Sequence, residues 1–194
     1  MDKVHLLSAD KLVVGLTGMP GSGKSLVVKI AQESGYDVVT MGDVIREETA
    51  KLGLGPTPAN VGKVMLELRK ISGEGVVAEK CIHKIEEKAS KKIIVDGLRS
   101  YIEADIFQKR LANFVLVTVH SSPQARFERL STRGRSDDPK TWEVFFERDR
   151  RELSVGIGNA IALAEYVLIN DGTKENLNAR VAEVLRRAET KRAK

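Results

Sequence analysis

The sequence predicts an α/β fold, a five-stranded parallel sheet with helices on both faces. Short apolar, β-branched runs recur along the chain, and helical patterns fill the stretches between them. The first such run ends in a glycine-rich loop that leads straight into a helix, "GLTGMPGSGKSLVV" over 15–28. Strands that alternate with helices pair in parallel, because each crossover helix returns the chain to the sheet edge it left.

The elements follow in order. "KLVVGLTG" (11–18) is a buried strand, and "SLVVKIAQESG" (25–35) is a helix stopped by Gly35. "YDVVTM" (36–41) is a second strand, and "DVIREETAKLG" (43–53) is a helix with Asp43 as its N-cap. "GLGPTP" (53–58) breaks the pattern. Val61, Val64, Met65 and Leu68 then share one helical face, and Ala78, Ile82, Ile85 and Ala89 mark another. "KKIIVDG" (91–97), "FVLVTV" (114–119) and "YVLI" (166–169) complete the strands. The last helix carries Leu177, Val181, Val184, Leu185 and Ala188 on one face, and its "RRAETKRAK" end reads as a solvated terminus. Residues 1–194 thus form one domain, with a helical insertion at 43–90 that is too long for one crossover helix. It belongs over the sheet's carboxyl edge, where α/β proteins bind ligands.

A net charge of +5 fits an anionic partner, either nucleic acid or phosphorylated small molecules. Cys81, the single cysteine, excludes an intrachain disulfide, fits a reducing, cytoplasmic compartment and reads as a small core residue. No apolar stretch approaches the ~20 residues of a membrane span, and "MDKVHLLSADK" lacks a cleavable signal pattern. His5, His83 and His120 have no metal-ligand spacing, although His120 follows a strand at the sheet edge. Trp142 is expected to pack at the base of a lid.

Gly18, Gly23, Lys24 and Ser25 satisfy G-x-x-x-x-G-K-[ST] in the required strand–loop–helix setting. Glycine permits the backbone conformations and the close approach by which loop N–H groups surround an anion. Gly18, Pro20, Gly21, Ser22, Gly23, Lys24 and Ser25 are therefore the expected ATP-binding loop of a P-loop NTPase fold. Lys24 would reach the β- and γ-phosphates, and Ser25 would ligate Mg²⁺. The chain has no N-K-x-D for guanine, which argues against a GTPase, and its length argues against a motor or AAA-type ATPase. A small phosphotransferase is left.

Arg129, Arg133, Arg135, Arg148, Arg150 and Arg151 fall between residues 129 and 151, where Lys140 is the only lysine. Arginine is favoured where planar, bidentate phosphate contacts matter. The alternative is a helix-surface ion-pair network with Asp137, Asp138, Glu143, Glu147 and Glu152; Arg150 and Arg151 fit either reading.

"TMGDVIRE" (40–47), "VDGLRS" (95–100) and "RGRSDDPKTWEVFFERDRRE" (133–152), together with the loop, resemble the nucleoside monophosphate kinases. The resemblance covers about residues 11–186 and is to adenylate kinase in particular, more narrowly to an archaeal adenylate-kinase-related group. It implies transfer of the ATP γ-phosphate to a nucleoside monophosphate such as AMP, with ATP and Mg²⁺ bound. It also implies that Gly42, Asp43 and Arg46 meet the acceptor nucleotide, with Arg46 on its phosphate. Asp96 then supports Mg²⁺, and Arg99 falls near an acceptor-phosphate arginine, although the proline of the usual D-G-F-P-R is missing. Arg129 and Arg133 match lid arginines on the ATP side, while Arg135 and Arg148 match those on the transferred and acceptor phosphates. Asp137 and Asp138 match an acidic pair that orients this cluster, and the lid (133–141) is short and lacks cysteines. In "INDGT" (169–173), related kinases set backbone against adenine; the same residues also read as a polar turn.

Two other functions compete. "VGLTGMPGSGK" and "AEYVLINDGT" also resemble dephospho-CoA kinase. Its hydroxyl acceptor benefits from a general base, which that family supplies from D-A-D after the second strand. Here Met41, Gly42 and Asp43 occupy that place, so the monophosphate acceptor is favoured. The third reading is a nucleotide-dependent assembly or RNA-associated factor with weak ATPase activity.

Overall fold

The computed structural model describes residues 10–135 and 138–192; His5, most of the leading segment, Asp137 and the last two residues of the basic tail lie outside the described residues. The chain runs β1 (Leu12–Thr17), α1 (Lys24–Glu33), β2 (Asp37–Thr40), α2 (Met41–Lys51), α3 (Pro58–Ser72), α4 (Val76–Glu87) and β3 (Lys92–Leu98). It continues through α5 (Tyr101–Arg110), β4 (Phe114–His120), α6 (Pro123–Arg133), α7 (Trp142–Ser154), α8 (Ile157–Ala162), β5 (Tyr166–Ile169) and α9 (Lys174–Arg192).

All five strands pair in parallel, in the order β2-β3-β1-β4-β5. A parallel sheet covered on both faces needs strands that are apolar throughout, and every residue of β1 is buried. Alternation along the strands divides the core. Val13, Ile93 and Val95 pack with Val44, Ile82 and Phe107 of α2, α4 and α5. Val14, Leu16 and Ile94 pack with Val27, Ala31, Leu177 and Val181 of α1 and α9. Cys81 lies fully buried in the first of these clusters, where burial pushes its thiol up to about 12.

Several expected boundaries shift. α1 begins at Lys24 and ends at Glu33, with Ser34 as C-cap and Gly35 in the left-handed region (φ 83°). Asp43 is not an N-cap: β2 runs directly into α2, Thr40 takes the cap position, and Asp43 lies inside the first turn. Its charge still suits the positive end of the helix dipole. Ala89 falls beyond the end of α4, because the helix stops at Glu87. The segment between β2 and β3 consists of α2, α3 and α4.

β3 departs from regular pairing where it matters. Leu16 of β1 sits opposite Asp96, but Thr17 sits opposite Leu98. Gly97, with φ 105°, is the additional residue. Thr17 Oγ1 donates to the Leu98 carbonyl at 2.9 Å and holds the bulge closed. Such bulges re-aim side chains beside functional sites.

Candidate functional site

The loop between β1 and α1 has the conformation that its composition anticipates. Gly18 has φ 143°, and a Cβ there would lie 2.4 Å from the Val119 carbonyl oxygen. Gly23 has φ 103°, and a Cβ there would lie 2.1 Å from Asn170 Nδ2. Asn170 takes that space because its Nδ2 donates to the Ser22 carbonyl at 2.8 Å, which pins the loop to the end of β5.

Lys24 opens α1 and donates from Nζ to the Gly18 carbonyl at 2.6 Å. Burial lowers its pKa to about 8 against the raising influence of Asp96. Burial likewise raises the Asp96 carboxyl above the usual carboxylate range, with Lys24 and Arg99 opposing that shift. Oδ1 of Asp96 is buried without a hydrogen-bond partner.

Two cavities meet at this pair. One, of about 640 Å³, is lined by the glycine loop, Ser25, Arg129, Arg133, Arg135, Arg148 and Asn170. The other, of about 520 Å³, lies under the helical insertion and is lined by Gly42, Arg46, Met65 and Arg69 among others. Lys24, Asp96 and Arg99 line both.

Arg46 lies half-exposed on α2 and is bound through Nε and Nη2 to Asp43. Arg99 donates from Nη1 to the Glu152 carboxylate at 3.0 Å. Of the arginines expected in a lid, Arg129 and Arg133 belong to α6 and Arg148 to α7, so among these only Arg135 lies in the connection between helices. Helical periodicity thus fixes three of the four on rigid elements. Arg129 donates to Ser121 Oγ at 2.7 Å and to the carbonyls of Gly21 and Asn170. Asp138 accepts from Arg133 Nε at 3.2 Å and from the Arg135 backbone N–H at 2.8 Å, and lies 4.0 Å from Arg148. The Arg133 hydrogen bond holds its carboxyl below the usual range.

Of the carboxylates considered for a surface network, Asp138 thus takes Arg133 and Arg148, while Glu152 takes Arg99. Arg150 and Arg151 are exposed on α7. His120 is the exposed last residue of β4. Trp142 packs edge-on against Phe127, with centroids 5.0 Å apart, and beside Phe145 at 5.1 Å, joining α6 to α7.

Sequence reasoning missed four contributors. Arg126 and Asp149 form a buried, bidentate pair at 2.8 and 2.6 Å, and Arg126 also donates to the Pro20 carbonyl of the loop at 3.3 Å. Arg69 and Glu103 form a second buried pair at 2.9 Å. The spacing of 126, 129 and 133 on one helical face was the available signal for Arg126. Nothing local marks Arg69, whose partner lies on another helix.

The donor set suits Mg²⁺. Ser25 Oγ and the unpartnered Asp96 Oδ1 would be hard oxygen ligands, and both residues are on the wall of the larger cavity. A glycine loop that heads a lysine-led helix, with a carboxylate on the adjacent strand, defines a P-loop nucleotide-binding fold.

A family model described as an AAA domain matches residues 17–145. The chain belongs to the UPF0200 family: it is 46% identical to a UPF0200 protein of Thermococcus onnurineus over 90% of this chain and 96% of that one. A UPF0200 protein of Methanocaldococcus jannaschii is 48% identical over 85% and 84% of the two chains. Among solved structures, TT1252 from Thermus thermophilus superposes with a TM-score of 0.64 at 18% identity, covering 91% of this chain and 97% of that one. Shikimate kinase from Bacteroides thetaiotaomicron gives 0.59 at 17% identity, over 90% and 98%. These likenesses establish a kinase-like P-loop fold. Among the described residues, no helix is long and apolar enough to cross a membrane.

Proposed function

We propose that this protein is an ATP-dependent phosphotransferase that moves the γ-phosphate of ATP to a nucleoside monophosphate, AMP being the first candidate. The observation that carries this reading is the shared wall of Lys24, Asp96 and Arg99 between two cavities. A simple ATPase needs one nucleotide cavity; a transferase needs two that open on the same reacting centre. Phosphoryl transfer is catalysed chiefly by positioning and by neutralising charge, and the charge of the site suits that task.

In this reading the loop N–H groups and Lys24 hold the donor phosphates, and Arg129 and Arg133 flank the donor. Arg135 and Arg148 face the transferred group, and Arg46 and Arg99 hold the acceptor phosphate beside Gly42 and Asp43. Mg²⁺, held by Ser25 and Asp96, would neutralise charge on the β- and γ-phosphates. The segment 43–90 is then the acceptor-binding insertion and 133–141 a short lid.

A second reading has a specific observation behind it. Asp96, with its raised pKa and unpartnered Oδ1, is also placed to accept a proton from a hydroxyl, as a dephospho-CoA acceptor requires. Against it, the position after β2 offers only Asp43, whose carboxylate is engaged by Arg46.

Labelled Mg²⁺-ATP offered with each monophosphate, with dephospho-CoA and with water alone separates these readings. A labelled nucleoside diphosphate supports the first. Labelled coenzyme A alone supports the second, and inorganic phosphate alone overturns both.

A further inference from the structure

The acceptor-side cavity holds a charged group that none of these roles uses. Arg69 on α3 lines that cavity with only 8% of its side chain exposed. Nη2 donates to Oε1 of Glu103 at 2.9 Å. The other oxygen of Glu103 accepts the backbone N–H of Arg99 at 2.8 Å and that of Ser100 at 3.2 Å. A single carboxylate therefore ties Arg69 to the loop that carries Arg99.

The Nε side of the guanidinium makes no hydrogen bond: Nε is buried without a partner, and Glu74 Oε2 lies 3.8 Å away. A guanidinium presents five N–H donors, and leaving buried donors unmet is costly unless a ligand completes them. Lys24, Arg46, Arg69 and Arg99 line this cavity with Asp96 and Glu103, and Arg46 and Arg99 also pair with Asp43 and Glu152.

We infer that Arg69 is a third acceptor-binding arginine, which donates its unpaired Nε–H to an oxyanion on the acceptor, alongside Arg99. The inference rests on the phosphotransferase reading and sharpens it: the acceptor arrives already carrying an anionic group such as a phosphate monoester. A neutral hydroxyl acceptor would leave this buried donor without an anionic partner.

The test is equilibrium binding of AMP and of adenosine, with the donor cavity saturated by Mg²⁺ and a non-hydrolysable ATP analogue. Wild type is compared with Arg69→Met and Arg69→Lys. Loss of a charge-assisted contact should weaken AMP binding about 10- to 150-fold in Arg69→Met. Arg69→Lys should recover part of that loss, while adenosine and analogue affinities stay unchanged.

Equal loss for AMP and adenosine would overturn the inference in favour of a base-reading role. Unchanged AMP affinity would overturn it in favour of a residue that serves only Glu103. The double variant Arg69→Met/Glu103→Gln, which removes the buried pair together, carries the same expectation if Arg69→Met does not fold. Failure of wild type to bind AMP, or to transfer phosphate to any monophosphate, would instead overturn the underlying reading.

Discussion

Lys24 keeps its charge in a part-buried place that works against it, and Asp96 is pushed toward neutrality by the same burial. Each compensates the other across the boundary between the two cavities. Lys24→Ala should therefore lower turnover by about 10²-fold or more, because one well-placed cation on a transferring phosphoryl group is worth ~10³-fold. A coupled nucleotide assay on purified variant protein measures this; activity within tenfold of wild type would remove Lys24 from the chemistry. Arg46 poses a finer question, since it lines the cavity under the helical insertion while pairing with Asp43 in the same helix. As an acceptor contact, Arg46→Ala should raise the acceptor KM about 10- to 150-fold and leave the KM for ATP unchanged. As an exposed i,i+3 pair it would be worth only ~0–1 kcal/mol and be kinetically silent. Steady-state kinetics with each substrate varied in turn decides between them.

At the scale of elements, α6 and α7 act as one unit. Trp142, Phe127 and Phe145 pack their facing surfaces together. Arg126 lies over the Phe145 ring at 4.9 Å and locks onto Asp149 through two hydrogen bonds. Its further bond to Pro20 ties the helix pair to the phosphate loop. Arg148, next to Asp149 in α7, is thereby held at the wall of the larger cavity. Arg126→Leu leaves a buried carboxylate unpaired, at a cost of about 3–5 kcal/mol. Urea denaturation should show that loss, and Arg126→Leu/Asp149→Leu should regain most of it, because the pair's main value is that neither charge stands alone. A loss in the double variant as large as in the single one would contradict this account.

For the whole molecule, the ligand is part of the stability. The loop, the end of β5 and the α6–α7 pair all converge on the larger cavity, so a nucleotide bound there should favour the folded state by mass action. At a hundred times Kd the gain is about 2.7 kcal/mol, which for a domain of this size corresponds to roughly 5–11 °C in Tm. Differential scanning fluorimetry with Mg²⁺-ATP should show that shift in wild type and little of it in Lys24→Ala. A shift of equal size in both proteins would mean that ATP binds elsewhere.

By itself the sequence determined the sheet, the loop and the lysine that opens α1. Those signals are local: Leu12 to Leu16 carries no polar side chain, and the glycines, Lys24 and Ser25 stand at a spacing fixed by the loop's own geometry. The helical insertion was legible from a stretch without strand pattern, and its helices from periodic apolar residues. The end of β2 was misread, because Asp43 looks like a cap until the strand is seen to run directly into α2. Only the tertiary structure joined Arg126 to Asp149, Arg69 to Glu103 and Asn170 to the loop backbone. These pairs span between 23 and 148 residues of chain. Their energy depends on burial and on direction, and neither is written in the neighbours of a residue. The same holds for the wall that the two cavities share: Lys24 opens α1 after β1, Asp96 and Arg99 lie in and just after β3, and parallel pairing of β1 with β3 sets them side by side.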